Sequence, residues 1–244
     1  MLQKIKNFFL SQKPVVLDVY VSDPNLIEHT PIQRASKFFP TWWKNIDSNE
    51  KLPTMRHCTG FVDLFKSSFV IPMWADAELT IEQEGNKGIS WQFYDAATSI
   101  GVHHSSQRGS YLDDEKWQHA KIENPMYIHC NEEIKFLFQD ACWNRENFDE
   151  YIIPSGILEF KYNHSININM MFKRKEDKYT LSLKHNQPLV YLTPLTDRKV
   201  KINYHLVPSA ELRTKATKLA HTKTKKMEVA KDISNPSKSK CPFH

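Results

Sequence analysis

The chain has 244 residues and a mass of 28.7 kDa, with 40% hydrophobic, 12% aromatic and 25% charged side chains. That size and balance suit one large packed domain and exclude disorder for most of the chain. The sequence pI of 8.9 comes from one end: of 33 Lys and Arg and 28 Asp and Glu, nine basic and two acidic side chains fall between Arg213 and His244. Residues 1–212 thus carry 24 basic against 26 acidic groups, which excludes the broad positive face that would make nucleic acid their obvious partner.

No apolar run approaches the roughly 18–20 residues that cross a bilayer. The N-terminal MLQKIKNFFLSQK carries charges throughout and offers no small-residue cleavage site. Neither a membrane span nor a secretory signal is expected. Cys58, Cys130, Cys142 and Cys241 are widely spaced without a CxxC pair, the usage of a reducing compartment, and nothing in their spacing asks for zinc.

Along the chain, Leu2, Ile5, Phe8 and Phe9 have the spacing of a short amphipathic turn. The run VVLDVYV over 15–21 reads as a strand, being β-branched and aromatic. Thr30-Pro31-Ile32-Gln33 joins a capping residue, a first-turn proline and a capping-box glutamine, which predicts a helix with an apolar stripe of Ile32, Ala35, Phe38 and Phe39 that stops at Pro40. Trp42 and Trp43 follow, two indoles suited to packing and to stacking on sugars or bases.

From residue 60 the pattern turns to β. The apolar run 69–74 contains Pro72, which marks an edge or a bulge. Residues 77–82 and 89–93 alternate on either side of a Gly-Asn-Lys-Gly turn and predict a hairpin. Further short strands are expected over 126–130, 134–138, 157–162, 166–172, 179–183, 189–192 and 200–206, the last as an outer strand with one wet face. Ser209 can cap a helix over 210–220, and a basic arm follows.

Many short strands with no regular helix between them are not a βαβ pattern. They predict a mainly β fold, a jelly-roll or double-stranded β-helix sandwich with short helices near the N-terminus and at the C-terminus. The expected organisation is an N-terminal strand and helix region over 1–58 packing on the core, an antiparallel β core over 59–208, and a C-terminal helix and arm over 209–244.

Chemistry-bearing signatures are sparse. There is no GxSxG elbow, P-loop or dinucleotide fingerprint, and six glycines leave little material for a phosphate-cradling loop. No His is followed two places later by Asp or Glu, as an iron and 2-oxoglutarate oxygenase requires. Of the acids Asp76, Glu78, Glu82 and Glu84, the last three share one strand face by period two and read as its solvated side. The segment from Pro154-Ser-Gly156 to His164 and Asn167 partly resembles the second motif of metal-binding cupins, although the gap from Gly156 to His164 is longer than that motif has. With Gly101-Val-His103-His104-Ser-Ser-Gln107 it suggests a single divalent metal, iron, manganese or zinc, on His164 and one of His103 or His104, with Gln107 and Glu159 as weaker ligands. The alternative is no cofactor.

Asn163, Asn167 and Asn169 form a polar ladder on one strand face that needs partners if it lies inside the barrel. With Trp42, Trp43 and Trp91 they are the candidate ligand-binding residues, the indoles for a glycan. No catalytic residue is identified.

Several segments together resemble a family of uncharacterised proteins from tailed cyanophages and other marine viruses: Pro40-Thr-Trp42-Trp43-Lys44, Phe69-Val-Ile-Pro72-Met-Trp74-Ala-Asp76, Asn163-His164-Ser-Ile-Asn167-Ile-Asn169, Gln187-Pro188-Leu-Val with Pro194-Leu195, and Lys240-Cys241-Pro242-Phe243. The resemblance runs over most of the chain and transfers no chemistry. It implies a bacteriophage product in the host cytoplasm, with the virion as a second location. The expectation is a non-catalytic binding or structural protein, with a cupin-like metal enzyme as alternative and a glycan-binding module as third reading. A protein partner or a homo-oligomer is expected, and the basic arm suits nucleic acid or an acidic surface.

Overall fold

The computed structural model describes residues 13–47, 53–82, 88–94, 100–101, 117–148, 150–162, 165–173 and 178–217. The fold is mainly β, with three sheets and four short helices among these residues. The first sheet has the order β10 (Ser165–Lys173), β7 (Trp117–His129), β1 (Val15–Val21), β13 (Val200–Leu206), and the two-residue β6 (Ile100–Gly101) also pairs with β7. The second runs β2 (Gln33–Arg34), β3 (Phe69–Pro72), β12 (Pro188–Pro194), β8 (Lys135–Asp140), β9 (Gly156–Glu159). The third is β11 (Lys178–Leu183), β4 (Ala77–Glu82), β5 (Gly88–Phe93).

Strict alternation builds the first sheet. Val15, Leu17, Val19 and Val21 are buried and the residues between them are not, as period two requires of a strand with one covered face. On β7, Ala120, Ile122, Met126 and Ile128 point the same way, as do Ile166, Ile168, Met170 and Phe172 on β10. These side chains share one hydrophobic core with Ile71, Leu79, Ile81, Phe136, Leu183 and Leu192 from the other two sheets.

The second sheet is covered on both faces, so β3 is buried at all four positions. Phe69 and Ile71 enter the main core, while Val70 and Tyr191 join a second cluster with Ala35, Ala141 and two rings of α3 (Thr59–Ser67), Phe61 and Phe65. A helix lying on the back of this sheet therefore adds a further layer. The remaining helices are the single turns α1 (Asn25–Glu28) and α2 (Thr41–Lys44), and α4 (Ser209–Thr217), which packs against β1 and β7.

The hairpin of 77–93 is present in register, from Ala77 opposite Phe93 to Glu82 opposite Gly88. Pro72 faces Pro188 where the register of β3 on β12 shifts, the irregularity its missing N–H predicts. One expectation is corrected. The helix from Pro31 to Phe39 does not form: Gln33 and Arg34 pair with Val70 and Phe69, and only Ala35–Phe38 makes a 3-10 turn. Eight residues between two prolines give weak helical stability, and tertiary pairing outweighs the capping signal. Within residues 59–208 the strand pairs among the described residues are antiparallel. β1 and β13, from opposite ends of the chain and joined by no hairpin, run parallel over seven residues. β1 also lies between β7 and β13, so residues 15–34 contribute to the same sheets as residues 69–206.

Candidate functional site: an aromatic groove and a small acidic cavity

The larger concavity, about 860 Å³, lies between the 37–44 and 143–148 segments, with Met55 and Pro188 completing its walls. Pro40, extended at φ −59° and ψ 146°, ends the 3-10 turn and caps the single turn α2, which turns Trp42 and Trp43 to different environments. Trp43 packs inward: its ring stacks on Phe39 at 4.4 Å, its Nε1 donates to the Met55 carbonyl at 3.2 Å, and the Arg56 guanidinium lies 5.3 Å from the ring centre. Trp42 is 39% exposed and lines the groove. Its Nε1 donates to the Trp143 carbonyl at 3.0 Å, and the two indoles lie 6.0 Å apart, tilted by 45°. Phe148, 55% exposed, meets Trp143 edge-on at 5.9 Å.

These segments are stapled to the sheet beneath. Asn144 donates through Nδ2 to the Phe38 carbonyl at 2.6 Å and accepts from the Tyr191 hydroxyl of β12. Arg145 is buried: Nη1 donates to the Tyr151 carbonyl at 2.5 Å, Nη2 to Asp140 Oδ2 at 2.8 Å, and the guanidinium lies 3.9 Å over the Tyr151 ring. Burial pushes the Asp140 carboxyl above the usual range, against the opposing pull of the Ile153 N–H and of Arg145. Asp140 Oδ1, Arg145 Nε and the Tyr151 hydroxyl are buried without partners among the described residues. The groove thus offers aromatic faces on a rigid base, with Lys37, Thr41, Lys44 and Glu146 as polar groups along it.

A second cavity, about 320 Å³, opens where the segment after β1, the β3–β4 and β11–β12 connections and the end of β5 meet. Asp23 Oδ1 accepts from the Asn25 N–H at 2.9 Å and Asp76 Oδ1 from the His185 N–H at 2.8 Å. The next residue, Asn186, holds the turn at φ 63°. Tyr94 donates to Glu78 at 3.3 Å, and its phenol is pushed up by desolvation and then by the charge of Glu78.

The residues singled out in the sequence do not gather in one place. Trp42 and Trp43 belong to the groove and to the aromatic cluster beneath it, whereas Trp91 is 43% exposed on the edge strand β5 and lines neither cavity. Asn167 and Asn169 lie on the outer face of β10, with Asn169 Oδ1 3.0 Å from Nε2 of the buried His119. Asn167 and Asn169 therefore face away from the core. Glu159 is half-buried on the edge strand β9, opposite Lys135. His103, His104, Gln107, Asn163 and His164 lie outside the described residues. Among the described residues no group of three or more His, Cys, Asp or Glu is placed to hold a metal ion. Cys58, Cys130 and Cys142 are free thiols, the latter two pushed up by burial.

Sequence reasoning missed Trp143, Phe148 and Arg145. Their signal was two aromatics and a charge in the segment after the strand at 135–140, legible only once that segment lies beside Trp42. Of the acids, Glu78 and Glu82 do face outward, beside Thr80 and Lys178 of the same sheet surface, while Asp76 turns into the second cavity. No helix among the described residues is long and apolar enough to cross a membrane. The chain matches no family model and no curated protein sequence.

Proposed function

We propose that this chain is a non-catalytic binding protein of jelly-roll type whose ligand-contacting face is the aromatic groove, and that the ligand is a glycan. The observation that carries the reading is the exposed Trp42 ring, fixed by its Nε1 bond to Trp143, with Phe148 edge-on to Trp143 in the same groove. A preorganised indole costs little entropy on binding and presents a flat face to the C–H side of a sugar ring, while Lys37, Thr41, Lys44 and Glu146 can bond its hydroxyls. Support for the jelly-roll reading is that mostly antiparallel sheets enclose one shared core.

The test is a glycan array of neutral and acidic bacterial oligosaccharides, probed with the wild-type chain and with Trp42→Ala. Saturable binding that weakens about tenfold or more in the variant is expected, as for an aromatic anchor at the centre of a contact; equal binding by both overturns the proposal. Near-stoichiometric iron, manganese or zinc in the purified protein would favour the cupin-like enzyme instead.

The motif resemblance extends the proposal to context: a tailed-phage product made in the host cytoplasm and carried in the particle. Mass spectrometry of purified virions checks it, and absence from particles despite abundance in infected cells rejects it. For the basic arm, deletion of residues 222–244 is expected to weaken binding to DNA or an acidic partner and to flatten its salt dependence.

A further inference from the structure

The charge of the groove narrows what it takes. Residues 1–212 carry 24 basic against 26 acidic groups, so a positive surface on this body is local. The charged residues lining the groove are Lys37, Lys44, Arg145 and Glu146. Arg145 is buried and its Nη2 is answered by Asp140 at 2.8 Å, which leaves Lys37 and Lys44 as the cations open to a ligand. Both are exposed, and neither side chain makes an ion pair or hydrogen bond among the described residues. Both also belong to the 37–44 wall that presents Trp42, with Pro40 between them, while Glu146 belongs to the opposite wall. The indole face and the free positive charge thus lie on one side of the groove.

We propose that the groove selects anionic glycans, sugars bearing a carboxylate or phosphate that Lys37 and Lys44 meet while the ring stacks on Trp42. This rests on the reading of the groove as a glycan-binding face. An ammonium is a point charge with no planar fork, so the lysines read negative charge rather than the shape of one group, and carboxylate and phosphate share that chemistry. A neutral sugar offers the ammonium groups no more than its hydroxyls, whereas an acidic one makes charge-assisted contacts with them. Single exposed contacts of this kind are weak and screened by salt, so the lysine pair sets selectivity and Trp42 supplies the anchor.

Titration of the full chain with two matched pairs tests this: pentagalacturonate against its methyl ester, and maltopentaose 6-phosphate against maltopentaose. At least one acidic member is expected to bind saturably and about tenfold more tightly than its neutral partner, and to lose about tenfold in affinity between about 50 and about 500 mM sodium chloride. Lys37→Gln and Lys44→Gln keep a hydrogen-bonding end and remove only the charge. Each should weaken acidic binding about two- to fivefold, and the two together about tenfold, with the melting temperature unchanged. Trp42→Ala separates the two levels. Binding that needs Trp42 but is equal for acidic and neutral members overturns the charge selectivity and leaves the glycan face standing; acidic binding undiminished in Trp42→Ala overturns the glycan face and the selectivity with it. No binding of either acidic probe, unchanged affinity in the double lysine variant, or tighter binding of single-stranded oligothymidylate than of the acidic sugars also overturns the proposal.

Discussion

At Arg145 a guanidinium with 2% of its side chain exposed shares a pocket with the Asp140 carboxylate and the Tyr151 ring. Removing one partner of such a pair leaves the other charge buried and uncompensated. Arg145→Ala is therefore expected to cost about 3–5 kcal/mol in urea unfolding at pH 7. Asp140 gives the pH dependence. Its folded pKa is raised by burial above the unfolded value of about 3.9, so its stabilising contribution is complete below about pH 4 and is lost as pH rises through the raised value. The stability gap between wild type and Asp140→Asn should narrow from pH 4.5 to pH 7. A gap that widens would contradict the assignment of burial as the dominant cause.

At the level of elements, the second sheet depends on α3 as much as on its strands. Phe65 is fully buried, stacked on Phe39 at 4.6 Å and edge-on to Tyr191 at 5.4 Å. Phe65→Ala should cost about 3–5 kcal/mol of unfolding free energy, and because Phe39 and Trp43 rest on the same cluster it should also loosen the groove. A drop in glycan affinity together with stability is the expected outcome; full affinity with lost stability would separate groove from cluster. The strands themselves were legible because alternation is local: VVLDVYV buries every second residue as its pattern predicts. The capping signal at Thr30 was equally local and misled, since the pairing of Gln33 and Arg34 with β3 is set by residues more than thirty positions away. The asparagine row shows the remaining limit. Period two says that Asn167 and Asn169 share a face, but which face meets the core depends on the apolar residues between them, Ile166, Ile168 and Met170.

For the whole molecule, burial is recorded in the tyrosines. Desolvation pushes the phenol of Tyr127 up to about 12 and those of Tyr151, Tyr191 and Tyr204 higher still. A raised folded pKa means that the folded state holds the proton more tightly, so stability is intact below the unfolded value of about 10 and falls as pH rises above it. Absorbance at alkaline pH should show these four phenols ionising only as the chain unfolds, in one step with the loss of far-ultraviolet ellipticity. Ionisation well before unfolding would mean that the core is open to water. The candidate site was legible only in part at this scale. Trp42 stood out in the sequence, but Trp143, whose carbonyl it bonds, and Phe148, whose ring meets Trp143, lie about a hundred residues away and line one groove with it only in the folded chain.

The groove as a glycan-binding face is tested most directly by the indole N–H resonances of the tryptophans in a nitrogen–proton correlation spectrum, recorded while the strongest oligosaccharide from the array is added. The Trp42 and Trp143 signals are predicted to shift together and saturate, with Trp91 unmoved. Saturable shifts confined to Trp91, or binding that leaves all three unchanged, would contradict it.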